Sequence, residues 1–252
     1  MRRPERTPPM RILYLVNEIN SGPGVLLEEA TRLGADADVI FTLAKCDLVT
    51  GAERDVPETA AGYDGLVVMG GIMGVYQEAD YPFIGKTRML MRQFHDEGKP
   101  VMGVCLGAQM LASAFGGRVY KMGYDEWGFL PQTWTSEAAS DPLLHDAEPG
   151  LALMQWHGDT FDLPEGSVRL ATRETCANQA FRIGTRTYGF QFHLETTPET
   201  TELWTQLRAQ AEQRPVESIK AKLGGAALEA QTRFARKLMA RWLNLTGARA
   251  IS

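Results

Sequence analysis

The chain has 252 residues, 44% hydrophobic and 23% charged, the range of an ordinary soluble domain with one sizeable core. Its formal net charge of -5 is spread without long runs of either sign, which argues against nucleic acid or a membrane surface as partner and favours a small-molecule substrate. Cys46, Cys105 and Cys176 cannot all pair, and their irregular spacing fits neither a disulfide framework nor a zinc site, so a reducing, cytoplasmic setting is expected.

Met1 to Met10 carries three arginines and three prolines but no apolar core of a secretory signal, and no later apolar run reaches membrane-spanning length. Residues 1–10 are therefore expected to form a disordered extension, and residues 11–252 a single domain that includes C-terminal helices. Arg11 to Val16 and Asp38 to Leu43 read as short buried strands flanking a helical stretch, Val25 to Leu33. Gly65 to Met69 is a third strand closed by Gly70-Gly71, and Pro100 to Val104 a fourth. Between them Asp80 is placed to cap a helix with Pro82 in its first turn, apolar on the side of Phe83, Leu90 and Phe94, and ended at Gly98. This alternation of uninterrupted apolar strands with helices predicts a doubly wound α/β fold, with a mostly parallel sheet covered on both faces. From Gly117 the texture is β-rich: Arg118 to Met122, Gly128 to Trp134, Ala152 to Trp156, Val168 to Thr172, Gln179 to Ile183 and Thr187 to Phe192. After Glu195 the pattern is helical again, and Phe234, Leu238, Trp242 and Leu245 share one face of the last helix.

The segment Gly103-Val-Cys105-Leu-Gly107 sits where an apolar strand ends and a helix begins, the form of a nucleophile elbow. Such a turn brings neighbouring backbone close to the nucleophile, and glycines on either side avoid the clash that a Cβ would cause. It also aims a helix N-terminus at the sulfur, which favours thiolate, and offers the Leu106 N–H to an oxyanion. Taken alone, the turn fits a buried structural cysteine equally well.

A thiol nucleophile needs a base. Of the four histidines, His95 falls on the helix after Asp80 and His145 in a polar stretch, so both read as solvated surface residues. His193 ends an apolar strand, and Glu195, two residues on, projects to the same side in extended chain. An acid there can hold the imidazole tautomer and stabilise imidazolium.

Val101 to Leu111 (VMGVCLGAQML) and Phe190 to Glu195 (FQFHLE) closely resemble the class I glutamine amidotransferase family, in particular stand-alone members similar to the amidotransferase domain of GMP synthase. Met69 to Tyr76 resembles that family's glycine turn, Trp156 to Phe161 its W-H-G-D-x-F segment, and Asn178 to Arg182 its N-Q-A-F segment. The resemblance implies a flavodoxin-like fold with Cys105, His193 and Glu195 as nucleophile, general base and orienting acid. It implies Gly71 and Leu106 as oxyanion-hole donors, Gln109 as a substrate-binding residue, and His157 and Asp159 as residues near the site, read here as support for the pocket wall; with no third ligand evident these two make a poor metal site, and no metal or cofactor is expected. The chain departs from the family at Ile72 and Leu194, where prolines are usual.

Glutamine hydrolysis through a Cys105 thioester, with ammonia passing to a separate synthase, is the leading expectation, because no G-x-x-x-x-G-K-[ST] loop or other synthase half is present in this sequence. A stand-alone γ-glutamyl hydrolase or peptidase would use the same triad on another γ-glutamyl compound. A regulatory or binding protein that keeps the pocket without turnover is the third reading.

Overall fold

A computed structural model describes residues 9–43, 51–220 and 224–247, so Cys46 and all but the last two residues of the expected N-terminal extension lie outside the described residues. The first half runs β1 (Arg11–Val16), α1 (Gly24–Arg32), β2 (Asp36–Phe41), β3 (Ala52–Glu53), β4 (Gly65–Val68), α2 (Phe83–Asp96), β5 (Val101–Val104) and α3 (Leu106–Ala114). The second half runs β6 (Val119–Pro131), β7 (Thr133–Trp134), β8 (Ala152–Phe161), β9 (Val168–Thr172), β10 (Ala180–Ile183) and β11 (Thr187–Phe190), then α4 (Pro198–Glu212), α5 (Val216–Lys220) and α6 (Gly225–Asn244).

Among the described residues the main sheet has the order β3-β2-β1-β4-β5-β11-β10-β9-β7. Pairing is parallel from β3 to β11 and antiparallel from β11 to β7. The doubly wound, mostly parallel fold read from the sequence is the fold observed. Side chains alternate across the sheet. On β1, Ile12, Tyr14 and Val16 enter the core layer that contains Val25, Leu26, Leu238 and Trp242 from α1 and α6, while Leu13 and Leu15 enter the layer that contains Leu90, Phe94 and Leu111 from α2 and α3. Burial on both faces explains why these strands are uninterrupted apolar runs.

Three sequence expectations differ in detail. Helix α2 has Pro82 at its N-cap without a side-chain cap, so Asp80 does not cap it. The segments read as separate strands, Arg118 to Met122 and Gly128 to Trp134, fall in one long strand, β6, paired antiparallel with β8 outside the main sheet and interrupted by an irregular register between Lys121 and Glu126, while Thr133 and Trp134 form β7 in the main sheet. His95 is not a solvated residue: its Nδ1 lies 2.8 Å from Thr187 Oγ1 and its ring meets Phe115 edge-on at 4.8 Å. His145 is exposed.

Strand β1 lies between β2 and β4, so the connections leave its two sides in opposite directions and open a crevice at the carboxyl ends of the strands, where open α/β sheets place ligands. Ser21 after β1, Gly70 after β4, Cys105 after β5 and His193 after β11 all follow these strand ends.

Candidate active site

Cys105 follows β5 directly and has φ 51° and ψ −109°, a left-handed conformation that a side-chain-bearing residue adopts only when its surroundings force it. The forcing contacts are visible. Cys105 N donates to Phe190 O at 2.8 Å, extending the β5–β11 ladder by one residue, and Gln109 N donates to Cys105 O at 3.0 Å, starting α3. A Cβ on Gly103 would lie 2.4 Å from Gly107 O, and one on Gly107 only 2.1 Å from Val68 O. The two glycines are therefore required by backbone approach, as the sequence reading expects.

His193 leaves the main sheet to form an isolated bridge with β8, its N–H donating to Met154 O at 2.8 Å. That turn presents the imidazole to both Glu195 and Cys105. Nδ1 lies 2.7 Å from Glu195 Oε1, and since a carboxylate only accepts, Nδ1 is the donor and Nε2 remains for the sulfur of Cys105, which is near enough to act on the His193 pKa. Burial works against charging His193, but the negative charges of Glu195 and Cys105 outweigh it and hold the histidine well above its ordinary pKa. Glu195 is fully buried, and its Oε2 has no partner among the described residues, so its interaction is concentrated on His193. Trp204 stands edge-on to the imidazole at 4.6 Å and Trp156 packs against Trp204 at 5.3 Å, excluding water from one flank.

A cavity of about 400 Å³ opens over Cys105 and His193. One wall is the Gly70-Gly71 turn, anchored by Asn17 Nδ2 donating to Met69 O at 2.8 Å. A Cβ on Gly70 would stand 3.1 Å from His193 Cε1 and 3.0 Å from Ser21 Oγ, while Gly71 lines the cavity and abuts Leu106, within 2.8 Å of where its own Cβ would be. Leu106 is the first residue of α3, where N–H groups lack helical partners. Of the two residues at the family's proline positions, Ile72 is 85% exposed on the cavity rim and Leu194 is fully buried.

Gln109 is buried, lines the cavity, and donates from Nε2 to Gln191 Oε1 at 3.2 Å and Asp159 O at 3.4 Å. His157 Nδ1 donates to the same Asp159 carbonyl at 2.9 Å, and burial together with the nearby Asp159 carboxylate raises the pKa of Tyr76 on the turn after Gly71. Behind His157 stands Glu126, whose Oε2 lies 3.0 Å from His157 Nε2. Glu126 also accepts from Arg173 at 3.0 Å, Gln179 at 2.7 Å and Thr175. Burial works against the charge of Glu126, but the hydrogen bonds from His157, Thr175 and Arg173 outweigh it and lower its pKa to about 2. Cys176 joins Glu126 and His157 with ligand atoms mutually within 4.8 Å, a third group that sequence spacing does not reveal. Its sulfur sits 3.3 Å from Thr160 Oγ1, and the Arg173 guanidinium already supplies the positive charge that a cation would bring, so the cluster is built as a hydrogen-bond network. Nothing in the sequence singles out Glu126, because its partners arrive from three other segments.

A cysteine on a strand-to-helix elbow, backed by a buried histidine and glutamate at the carboxyl edge of a mostly parallel sheet, defines a nucleophile-type α/β protein. Residues 34–205 match the family model described as glutamine amidotransferase class-I. The glutamine amidotransferase-like protein YfeJ of Salmonella typhimurium is 30% identical over 196 residues, covering 77% of this chain and 79% of the relative. The glutamine-hydrolysing GMP synthase subunit of Natronomonas pharaonis is 34% identical over 145 residues, 57% of this chain and 72% of the relative. The crystal structure of a glutamine amidotransferase from Thermotoga maritima superposes with a TM-score of 0.79 at 26% identity, covering 93% of this chain and 98% of the other. The chain belongs to the class I glutamine amidotransferase family.

Proposed function

We propose that this protein hydrolyses the γ-amide of glutamine through a thioester on Cys105. His193 takes the thiol proton and returns it to the departing nitrogen, and Glu195 holds the Nδ1–H tautomer and balances the imidazolium. The Gly71 and Leu106 N–H groups receive the oxyanion, a contribution of about 10²–10³ in rate per donor in related chemistry. Gln109 binds the glutamyl end, whose amide both donates and accepts, and His157 and Asp159 hold the wall behind it. The observation that carries this reading is the buried His193 between Glu195, 2.7 Å away, and the Cys105 sulfur. Ammonia then passes to a separate synthase. A reducing, cytoplasmic setting suits this chemistry, because Cys105 acts as a free thiol.

The stand-alone γ-glutamyl hydrolase is the second reading, favoured by a cavity of about 400 Å³ that Glu18, Asn20, Trp204 and Leu207 line together with His193. Assay of the isolated protein and its Cys105→Ala variant against glutamine, γ-glutamyl peptides and γ-glutamyl amines tests both. Turnover that depends on Cys105 supports the thioester, and substantial turnover in Cys105→Ala assigns the chemistry to another group.

A further inference from the structure

Glutamine releases only ammonia, so hydrolysis of glutamine needs little room beyond His193. Further side chains nevertheless line the cavity next to His193. Trp204, edge-on to His193 at 4.6 Å, donates from Nε1 to Asn20 O at 2.8 Å, and Asn20 in turn donates to Glu18 from its side chain at 3.0 Å and its backbone at 2.9 Å. Glu18, Asn20, Trp204 and Leu207 all line the cavity that contains Cys105. The contacts thus step outward from the general acid to a half-buried carboxylate. Among the described residues Glu18 has no cationic partner, whereas Asp125 is paired with Arg208 at 2.8 Å and Asp159 lies near Tyr76. Burial pushes the Glu18 pKa up despite the Asn20 hydrogen bonds, so its charge is under-compensated. Lys121 also lines the cavity, paired in register with Asp159, whose carbonyl accepts from Gln109, and suits the carboxylate of a glutamyl group.

We propose a further activity for the same triad: cleavage of secondary γ-glutamyl amides whose leaving amine carries a second, positively charged nitrogen, a γ-glutamyl diamine or polyamine. Glu18 takes the distal ammonium, and Trp204 and Leu207 pack along the methylene chain. Cys105 Sγ attacks the γ-carbonyl carbon, the C–N bond breaks, and the departing nitrogen takes the proton from His193. Water then adds to the thioester while His193 accepts its proton, the C–S bond breaks, and glutamate and the free amine are the products. This activity rests on the thioester reading of the site.

The test compares γ-glutamylputrescine with γ-glutamylpentylamine, which has the same length without the charge, and with glutamine, in the wild type and in Glu18→Gln. The expected result is a kcat/KM for the cationic substrate about tenfold or more above the neutral one, falling toward parity in Glu18→Gln, as for loss of a partly buried charge-assisted hydrogen bond. Turnover of glutamine with no preference for the cationic amide overturns this activity and leaves the thioester reading standing. A preference that persists undiminished in Glu18→Gln overturns the role of Glu18. Absence of any turnover, together with a Cys105 that a glutamine-analogue electrophile does not label, overturns both readings at once.

Discussion

Cys105 and His193 face each other because each is held by backbone, the first by a left-handed elbow and the second by a single bridge to β8. The charge that organises them comes from Glu195, whose free oxygen has nothing else to bind among the described residues. Since Glu195 and Cys105 together raise the His193 pKa against the effect of burial, Glu195→Gln lowers that pKa, and imidazolium is lost at a lower pH. The alkaline limb of the kcat/KM profile is therefore expected to shift toward acid, with kcat reduced, while His193→Asn, which cannot carry the proton, falls at least as far. An unmoved limb in Glu195→Gln would mean that another group sets it. These three residues were legible in the sequence because each sits at a local signal, a glycine-bracketed turn or an H-x-E at a strand end. Glu126 and Glu18 were not, since the groups that give them meaning are distant in sequence.

At the scale of elements, the elbow works only if α3 packs directly on β4, which the absence of a Cβ at Gly107 permits. Gly107→Ala is expected to cost about 1–3 kcal/mol, read as a lower Tm, and to reduce turnover by moving Cys105. An unchanged Tm would show that the helix can shift freely. The β6–β8 pair carries the other wall through Glu126. Removing that buried charge in Glu126→Gln leaves Arg173 and His157 without their partner and is expected to destabilise the protein by about 3–5 kcal/mol at neutral pH. The sign with pH follows from its lowered pKa: the stabilisation is present above the ordinary carboxylate range and is lost as pH falls toward about 2. Denaturation of the wild type should then steepen with acid across that window more than that of the variant; parallel curves would contradict the role of the network. Strands β1, β4 and β5 read cleanly from the sequence because burial on both faces makes them apolar runs, whereas β2 begins two residues earlier than read, at its exposed Asp36, and the two-residue β3 was not read at all. The length of β6 was not legible either, because its irregular stretch from Lys121 to Glu126 breaks the alternation that marks a strand.

For the whole molecule, the sequence indicated the layers but not the strand order, which depends on long-range pairing such as β5 with β11. That pairing assembles the site, since it sets Phe190 O against Cys105 N and brings the histidine strand beside the elbow. Around the cavity, the exposed Ile72 follows a glycine pair that can flip a peptide at little steric cost, so closure by a bound synthase is physically available. Under the proposed function, glutaminase activity of the isolated chain is expected to be slow and to rise on addition of an ammonia-accepting synthase; a full rate of order 1–10³ s⁻¹ without one would contradict gating. The most direct measurement of the central claim is intact-mass analysis of the protein after incubation with a glutamine-analogue electrophile, followed by peptide mapping. One adduct is expected, on Cys105, slowed by added glutamine and absent in Cys105→Ala. A protein that stays unmodified, or that carries the adduct on another residue, would contradict that claim.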